Sequence, residues 1–327
     1  MKACVLVDGA GDYTHLKIEN VQDPKDVGDT EVLIRHSAIG VNFDDIMYRK
    51  GDYIIPKEFG KKPILGFEAV GTILRLGSKV KGFKIGDQVG YAFCRIGAYA
   101  EQNVVDYRYV CKIPDSITPE IAAGVLRKGL TAQYLLLRTC ALAKNDTVLI
   151  HSIAGGVGYM LAKLAKHMGL RVIGTICCEE KMSFALSTGV DCLIDRSKGD
   201  MLKKIADFTE GQGVATVYDG IGDSVFDESL NALKPFGVYV SYGYAGGKLG
   251  PFDAFRLRDR NLFFTTPTLE MYMANRYALL LSVADLFDVV KKDIITPKIT
   301  HYRFEEIPQA HADMESGKST GSLIVDV

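Results

Sequence analysis

The sequence has no excess of charge of either sign. Among 327 residues, 39 Lys and Arg stand against 40 Asp and Glu, for a net charge of −1. It also has no long basic run; the best are pairs such as Lys61-Lys62 and Lys291-Lys292. A nucleic-acid-binding chain carries a basic stripe or a high pI. The pI here is about 6.6, so no nucleic-acid partner is expected. The seven cysteines, at 4, 94, 111, 140, 177, 178 and 192, form no C-x-x-C. Their odd count and scatter argue against a disulfide framework and a structural zinc site. They read as thiols of a reducing compartment. The six histidines are dispersed without metal spacing. No Ser-His-Asp or Cys-His arrangement is evident. The longest uncharged apolar stretch, 147–162, has 16 residues and contains His151 and three glycines. That is short of the roughly 20 that span a bilayer. Residues 1–8 are too poor in apolar side chains for a signal peptide. A cytoplasmic protein without a membrane partner is expected.

What is present is glycine: 33 residues, ten per cent against about 7 % in average proteins. Glycine inside regular elements is costly, so the surplus needs a local purpose. The length suggests two domains at roughly 150 residues each. Up to about residue 120 the pattern is β-rich, with strands expected at 2–7, 31–39, 69–76, 88–92 and 99–105. Glycines between 66 and 97 fall at the ends of these runs, as turn residues do. From 121 the chain turns helical, then alternates. Strands are expected at 147–150, 172–176, 192–194, 215–218, 238–242 and 262–265, with helices or polar stretches between them. Serial β-α-β units imply a doubly wound parallel sheet of the Rossmann type. The last segment holds a helix at 276–290 and strands at 298–302 and 322–325. The final strand is expected to return to the first domain.

The strand 147–150 runs into His151-Ser152-Ile153-Ala154-Gly155-Gly156-Val157-Gly158 and then an amphipathic helix. Three glycines at a strand-to-helix turn let the backbone approach a pyrophosphate, which the helix N-terminus attracts. In this strand–loop–helix context Ala154 to Gly158 are expected to form a dinucleotide site, a mere tight turn being the alternative. An NAD site wants a carboxylate about 20 positions further on, where this chain has Ile176-Cys177-Cys178. Lys181 and Arg196 follow the second and third strands and are candidates to hold a 2′-phosphate, which favours NADPH; solvated surface cations are the alternative. Glu179 and Glu180 oppose that assignment. Gly220, Gly222, Tyr242 and Gly243 lie at the carboxyl ends of the fourth and fifth strands, the edge where such sheets bind ligands.

The chain resembles the medium-chain dehydrogenase/reductase superfamily, and within it the zinc-independent quinone oxidoreductase (zeta-crystallin-like) family. The resemblance rests on motifs whose order spans nearly the whole chain. They include Ile39-Gly40-Val41-Asn42-Phe43-Asp44-Asp45, Leu65-Gly66-Phe67-Glu68-Ala69-Val70-Gly71, Gly86-Asp87-Gln88-Val89 and Gly97-Ala98-Tyr99-Ala100-Glu101. Further along come Lys128-Gly129-Leu130-Thr131-Ala132-Gln133-Tyr134, the glycine loop and Val217-Tyr218-Asp219. The resemblance implies a GroES-like catalytic domain at 1–123, a Rossmann NADPH-binding domain at 124–267 and a return at 268–327. It also implies a homodimer. Zinc-dependent members have Cys at the position of Asn42 and His at that of Phe67. Neither residue here is a useful zinc ligand, so no metal is expected. A reductase of this kind needs an acceptor that takes hydride easily, a quinone or an activated alkene.

The resemblance places Asn42 and Asp45 near the nicotinamide, where a turn-forming Asx pair is the alternative. Lys128, Thr131 and Tyr134 are expected to open the helix leading into the Rossmann domain and to share one of its faces, and in the family this face meets the cofactor. Ordinary packing is the alternative. Tyr53 matches a cleft tyrosine that donates a proton or stacks on a ring; a surface tyrosine is the alternative. Where relatives often have a second tyrosine this chain has Met47, and its neighbour Tyr48 is expected to point elsewhere. Lys318 is expected to reach the adenosine phosphate, or else to be a solvated lysine. The function these residues imply is reduction of a quinone by NADPH, with one- or two-electron transfer left open. An enone or enal reductase is the second reading, and a non-catalytic NADPH-binding protein the third.

Overall fold

The computed structural model describes residues 1–327. The chain begins with β1 (Lys2–Leu6), β2 (Leu16–Asn20), β3 (Glu31–Val41) and helix α1 (Phe43–Lys50). Then come β4 (Glu68–Leu76), β5 (Gln88–Tyr91), β6 (Gln102–Asp106), β7 (Cys111–Lys112) and α2 (Pro119–Leu137). An alternating stretch follows: β8 (Thr147–Ile150), α3 (Gly156–His167), β9 (Arg171–Ile176), α4 (Met182–Leu186), β10 (Cys192–Asp195) and α5 (Met201–Thr209). It continues through β11 (Val214–Asp219), α6 (Phe226–Ala232), β12 (Leu233–Ser241), β13 (Phe263–Thr265) and α7 (Leu269–Tyr272). The chain closes with α8 (Arg276–Lys291), β14 (Ile299–Arg303), α9 (Ile307–Glu315) and β15 (Ser322–Asp326).

The chain divides into two compact units. The first comprises 1–127, 273–291 and 297–327, and the second 128–272 and 292–296. The division at 127/128 falls within α2, a few residues beyond the 123/124 boundary expected from sequence.

In the first unit a seven-stranded sheet runs β14-β15-β3-β4-β5-β7, with β6 also paired to β3. The closing strand β15 lies antiparallel to β3, with Leu323 opposite Val41. Its core includes Ile34, Ile39, Leu65, Tyr91, Tyr99, Leu323 and Val325. The strand expected at 99–105 begins only at Gln102. Tyr99 and Glu101 are engaged instead by the first strand: Cys4 N–H donates to the Tyr99 carbonyl at 2.8 Å and Glu101 N–H to the Lys2 carbonyl at 3.1 Å.

In the second unit six parallel strands run β10-β9-β8-β11-β12-β13. This is the strand order of a doubly wound dinucleotide-binding sheet. Helices on both faces bury its strands; every residue of β8 and of β11 is buried. The core includes Leu149, Ile173, Ile194, Val217, Phe226, Leu230 and Tyr239. β12 starts at Leu233, earlier than the 238 expected from sequence. Its opening residues Lys234-Pro235-Phe236-Gly237 carry turn signals, and the register shifts between Val214 and Thr216 as a bulge passes.

Candidate active site

The turn between β8 and α3 is anchored on both neighbouring strands. His151 N–H donates to the Tyr218 carbonyl at 3.1 Å and Ile153 N–H to the Thr175 carbonyl at 3.0 Å. The fully buried His151 ring bonds to the Thr175 hydroxyl at 2.9 Å and the Ser229 hydroxyl at 2.7 Å. Burial, with Arg196 adding, lowers its pKa to about 3, so the ring is a neutral structural bridge. Gly155 caps α3 in extended conformation, and no side chain caps this end. The N–H groups of the first turn remain available to an anion. A Cβ on Gly158 would stand 2.3 Å from the Ser152 carbonyl oxygen. Only glycine lets helix and loop close this tightly. The cradle Ala154–Gly158 therefore fits the pyrophosphate of a dinucleotide.

The far edge of the same site is built where β9 and β10 end. Asp195 is opposite Ile176 in the parallel register, so Arg196 and Cys177 leave the sheet side by side. Arg196 is half-buried, and its Nε is buried without a partner. Lys181 ends a single tight helical turn, Glu179–Lys181. Lys198, unnoticed in the sequence, lies 3.8 Å from both Glu179 and Asp195. It offsets the carboxylate that counted against a 2′-phosphate. At the end of β11 the buried Asp219 accepts from Ile221 N–H at 2.7 Å, Gly222 N–H at 3.1 Å and the Tyr239 hydroxyl at 2.7 Å. Burial raises its pKa against those bonds. Tyr242 N–H donates to the Asp219 carbonyl at 2.8 Å. A Cβ on Gly220 would meet the Tyr242 ring at 2.9 Å, and one on Gly243 would meet the Gly220 Cα at 3.3 Å. These three residues thus form one close-packed edge.

The first unit holds a buried polar network at the start of α1. Asn42 and Asp45 are not a bare turn. Asn42 is the N-cap of α1, and its N–H donates to the Asp45 carboxylate at 2.8 Å. The Asn42 amide nitrogen donates to Glu68 at 2.9 Å and to the Gly40 carbonyl at 3.2 Å. Arg127 N–H donates to the other Glu68 oxygen at 2.6 Å. The Arg127 guanidinium pairs with Asp44 and lies over the Phe67 ring, 5.5 Å from its centroid. Asp45 is fully buried. Its Oδ2 also accepts from the Tyr99 hydroxyl at 2.8 Å, and that hydroxyl is 2.8 Å from His311 Nε2. Burial pushes the Asp45 carboxyl up to about 7 and the His311 ring down to about 3.

Tyr53 is half-buried and packs on Tyr48, with ring centroids 5.1 Å apart. Tyr48 in turn meets Phe67 at 5.0 Å. Met47, one position before Tyr48, is buried, and the helical turn carries Tyr48 in a different direction, onto Tyr53 and Phe67. Lys128, Thr131 and Tyr134 do not open their helix. α2 starts at Pro119 and places them in its second half. Lys128 and Tyr134 are buried, and the Tyr134 ring stacks on Tyr272 at 4.5 Å. Lys318 is exposed in the loop between α9 and β15; it belongs to the first unit and the glycine cradle to the second.

Residues 28–144 match the model of the alcohol dehydrogenase GroES-like domain, and residues 156–281 that of the zinc-binding dehydrogenase family. A quinone oxidoreductase of Pseudomonas aeruginosa is 35 % identical over 304 residues, covering 92 % of this chain and 93 % of the relative. The chain belongs to the quinone oxidoreductase family of medium-chain dehydrogenases/reductases. The 2-haloacrylate reductase of a Burkholderia species is 34 % identical, covering 91 % of each chain. The Escherichia coli quinone oxidoreductase, solved in complex with NADPH, superposes with a TM-score of 0.95 at 29 % identity over the full length of both chains.

Within this family fold, sequence reasoning missed Glu68, Arg127, Tyr99 and His311 as partners of the Asn42 network. Glu68 and Tyr99 lie in motifs that carried the resemblance. Their signal was a charged or hydroxyl side chain inside an otherwise apolar strand run. His311 had no such signal, because it reaches Tyr99 only through the fold. No group of three or more His, Cys, Asp and Glu side chains is placed to hold a metal ion. No helix is long and apolar enough to cross a membrane.

Proposed function

We propose that the chain is an NADPH-dependent quinone oxidoreductase. The observation that carries this reading is the Gly158 turn, with Lys181, Arg196 and Lys198 gathered at the ends of the adjoining strands. The family membership supports it. When bound, the dihydronicotinamide supplies a hydride or single electrons, and the protein supplies binding, orientation and exclusion of water. The Ala154, Gly155, Gly156, Val157 and Gly158 backbone holds the pyrophosphate, and Lys181, Arg196 and Lys198 hold the 2′-phosphate. Gly220, Tyr242 and Gly243 form the edge against which the dinucleotide lies. Lys128, Thr131, Tyr134 and Lys318 are assigned to the cofactor on the resemblance alone. Asn42 orients the nicotinamide end, and Tyr53 offers its ring to a flat acceptor. Asp45 has no exposed surface, and its Oδ2 holds both the start of α1 and the Tyr99 hydroxyl while its Oδ1 is buried without a partner, so it is a positioning residue. A metal has no place in this reading: an asparagine amide is a poor zinc ligand, and Phe67 has no ligating atom.

The test is NADPH oxidation against a panel of quinones, with NADH as control. Quinone-dependent turnover that prefers NADPH is expected. Tight NADPH binding with no turnover of any acceptor overturns it in favour of a non-catalytic protein. A second reading, reduction of an activated alkene, is favoured by the similarity to the 2-haloacrylate reductase. Comparing a naphthoquinone with a medium-chain 2-alkenal separates the two.

A homodimer and a cytoplasmic location belong to the same proposal. β13 is an edge strand of the six-stranded sheet, with exposed Phe263 on it and exposed Phe255 beside it. An apolar edge strand is a ready template for a second copy. The seven cysteines remain thiols, in keeping with a reducing compartment.

A further inference from the structure

Cys177 and Cys178 are consecutive, and their sulfurs lie 3.9 Å apart on the turn that leaves β9. Cys177 is exposed and Cys178 half-exposed. Cys4 and Cys111 are buried, and Cys94, Cys140 and Cys192 are half-exposed, as Cys178 is, with no cysteine next to them in sequence. Two sulfurs bonded to one pyramidal atom at about 2.3 Å, a usual metal–thiolate length, with an angle near about 95°, stand roughly 3.4 Å apart. A small turn of the side-chain torsions brings the exposed pair to that spacing on a single soft atom. Two sulfurs alone do not make a zinc site, which takes four ligands, and no third ligating group completes one. The fitting ligand is one that two thiols satisfy, a trivalent arsenical.

We propose that Cys177 and Cys178 form a bidentate binding site for soft trivalent thiophiles, and that its occupation weakens NADPH binding. The chemistry balances without an oxidant. An organoarsenic(III) dihydroxide loses both As–OH groups as two S–As bonds form. The two thiol protons leave with the hydroxyls as two waters, and arsenic stays trivalent. Thiols rather than thiolates suffice for this condensation. Burial, Glu180 and Cys177 all raise the Cys178 pKa, which keeps that thiol protonated.

The coupling to NADPH follows from position, and it rests on the assignment of Lys181 and Arg196 to the 2′-phosphate. Cys178 caps the turn Glu179–Lys181, and Lys181 N–H closes that turn on the Cys178 carbonyl at 3.3 Å. Arg196 leaves the sheet beside Cys177. A ring closed through both sulfurs must reset the side-chain torsions of both cysteines and put a bulky substituent beside the phosphate cations. NADH, lacking the 2′-phosphate, gains nothing from those cations and loses little.

The experiment treats the intact protein with phenylarsine oxide, and in parallel the variants Cys177→Ser, Cys178→Ser and the double variant. Intact mass gives the stoichiometry. KM for NADPH and for NADH is measured before and after treatment, each variant against its own untreated value. One phenylarsine per chain is expected, lost on removal of either cysteine. KM for NADPH is expected to rise about tenfold, the loss of one charge-assisted contact, with KM for NADH unchanged. No adduct, or an adduct that survives in the double variant, overturns the site. An adduct that moves both KM values equally, or neither, overturns the coupling. Untreated Lys181→Ala/Arg196→Ala is measured alongside. Unchanged NADPH affinity there would remove the phosphate assignment, while the mass readout still decides whether the thiophile site exists.

Discussion

The Asn42 side chain donates to Glu68 across 2.9 Å, and both residues are buried. This one bond joins the start of α1 to β4, and Glu68 passes it on to Arg127 through the Arg127 N–H. A Cβ on Gly40 would lie 2.2 Å from the same Glu68 oxygen, so β3 is cut back at that point to let the carboxylate in. Glu68→Gln turns an acceptor into a partial donor facing two donors. A loss of about 1–3 kcal/mol is expected, the cost of an unsatisfied buried group, read as a shift in the denaturant midpoint. A midpoint unchanged from the parent would show that the network carries no stability.

Gly158→Ala places a methyl against the Ser152 carbonyl, which is backbone and cannot swing away. The turn must open. NADPH affinity is expected to fall about tenfold or more, equal to 1.4 kcal/mol, as measured by titrating the reduced cofactor's fluorescence. NADH should weaken in parallel, because both dinucleotides share the pyrophosphate.

Lys181→Ala with Arg196→Ala should act on one dinucleotide only. Charge-assisted bonds of about 1.5–3 kcal/mol imply a rise of roughly 10–100-fold in KM for NADPH, with NADH spared. Lys198→Ala should add a smaller effect in the same direction by unmasking Glu179. Steady-state kinetics with both cofactors is the check, and equal effects on the two would dismiss the phosphate assignment.

Stability should depend on pH through groups of opposite sense. Burial lowers His36 to about 4, and His151 and His311 to about 3, from an ordinary 6.5. Below that ordinary value the unfolded chain takes protons that the folded one refuses, so stability falls as pH drops. Asp45 works the other way. Raised by burial from 3.8 to about 7, it stays protonated in the fold while the unfolded chain ionises, so its contribution is lost as pH rises between those values. Asp45→Asn removes that opposing component. Urea unfolding between pH 4 and 7 should then show stability rising more steeply with pH than in the parent.

Phe263→Asp puts a charge on the β13 edge. Light scattering on the eluted protein should shift from dimer toward monomer with the sheet's circular dichroism intact. A dimer that survives would move the interface elsewhere.

The parallel sheet was legible because its strands are buried on both faces and read as short unbroken apolar runs between turn residues, as at 147–150 after Asn145-Asp146. The cradle was legible because glycine clustering has few other uses at a strand-to-helix turn. α1 was not, since Asn42-Phe43-Asp44-Asp45 looks like loop chemistry until Asp45 is seen capping its own helix. β2 was hidden for a related reason: Leu16–Asn20 alternates with Lys and Glu and gains its partner only in β1. Lys198 escaped because its neighbour Glu179 belongs to a different strand connection. Such pairings depend on register, which single-strand patterning does not encode.

The pairing of β15 with β3 has a consequence for how the protein is made. Val41 leaves the ribosome early, yet the backbone partner it will keep is Leu323. The second unit, which is mostly one continuous stretch of chain, can close as soon as it has emerged. The first unit can pair β6 with the first half of β3 early, but must hold residues 38–41 on that side open through the whole of that synthesis. Its exposed apolar strand is then a template for the wrong partner, and chaperone dependence should concentrate on nascent chains halted just before β15.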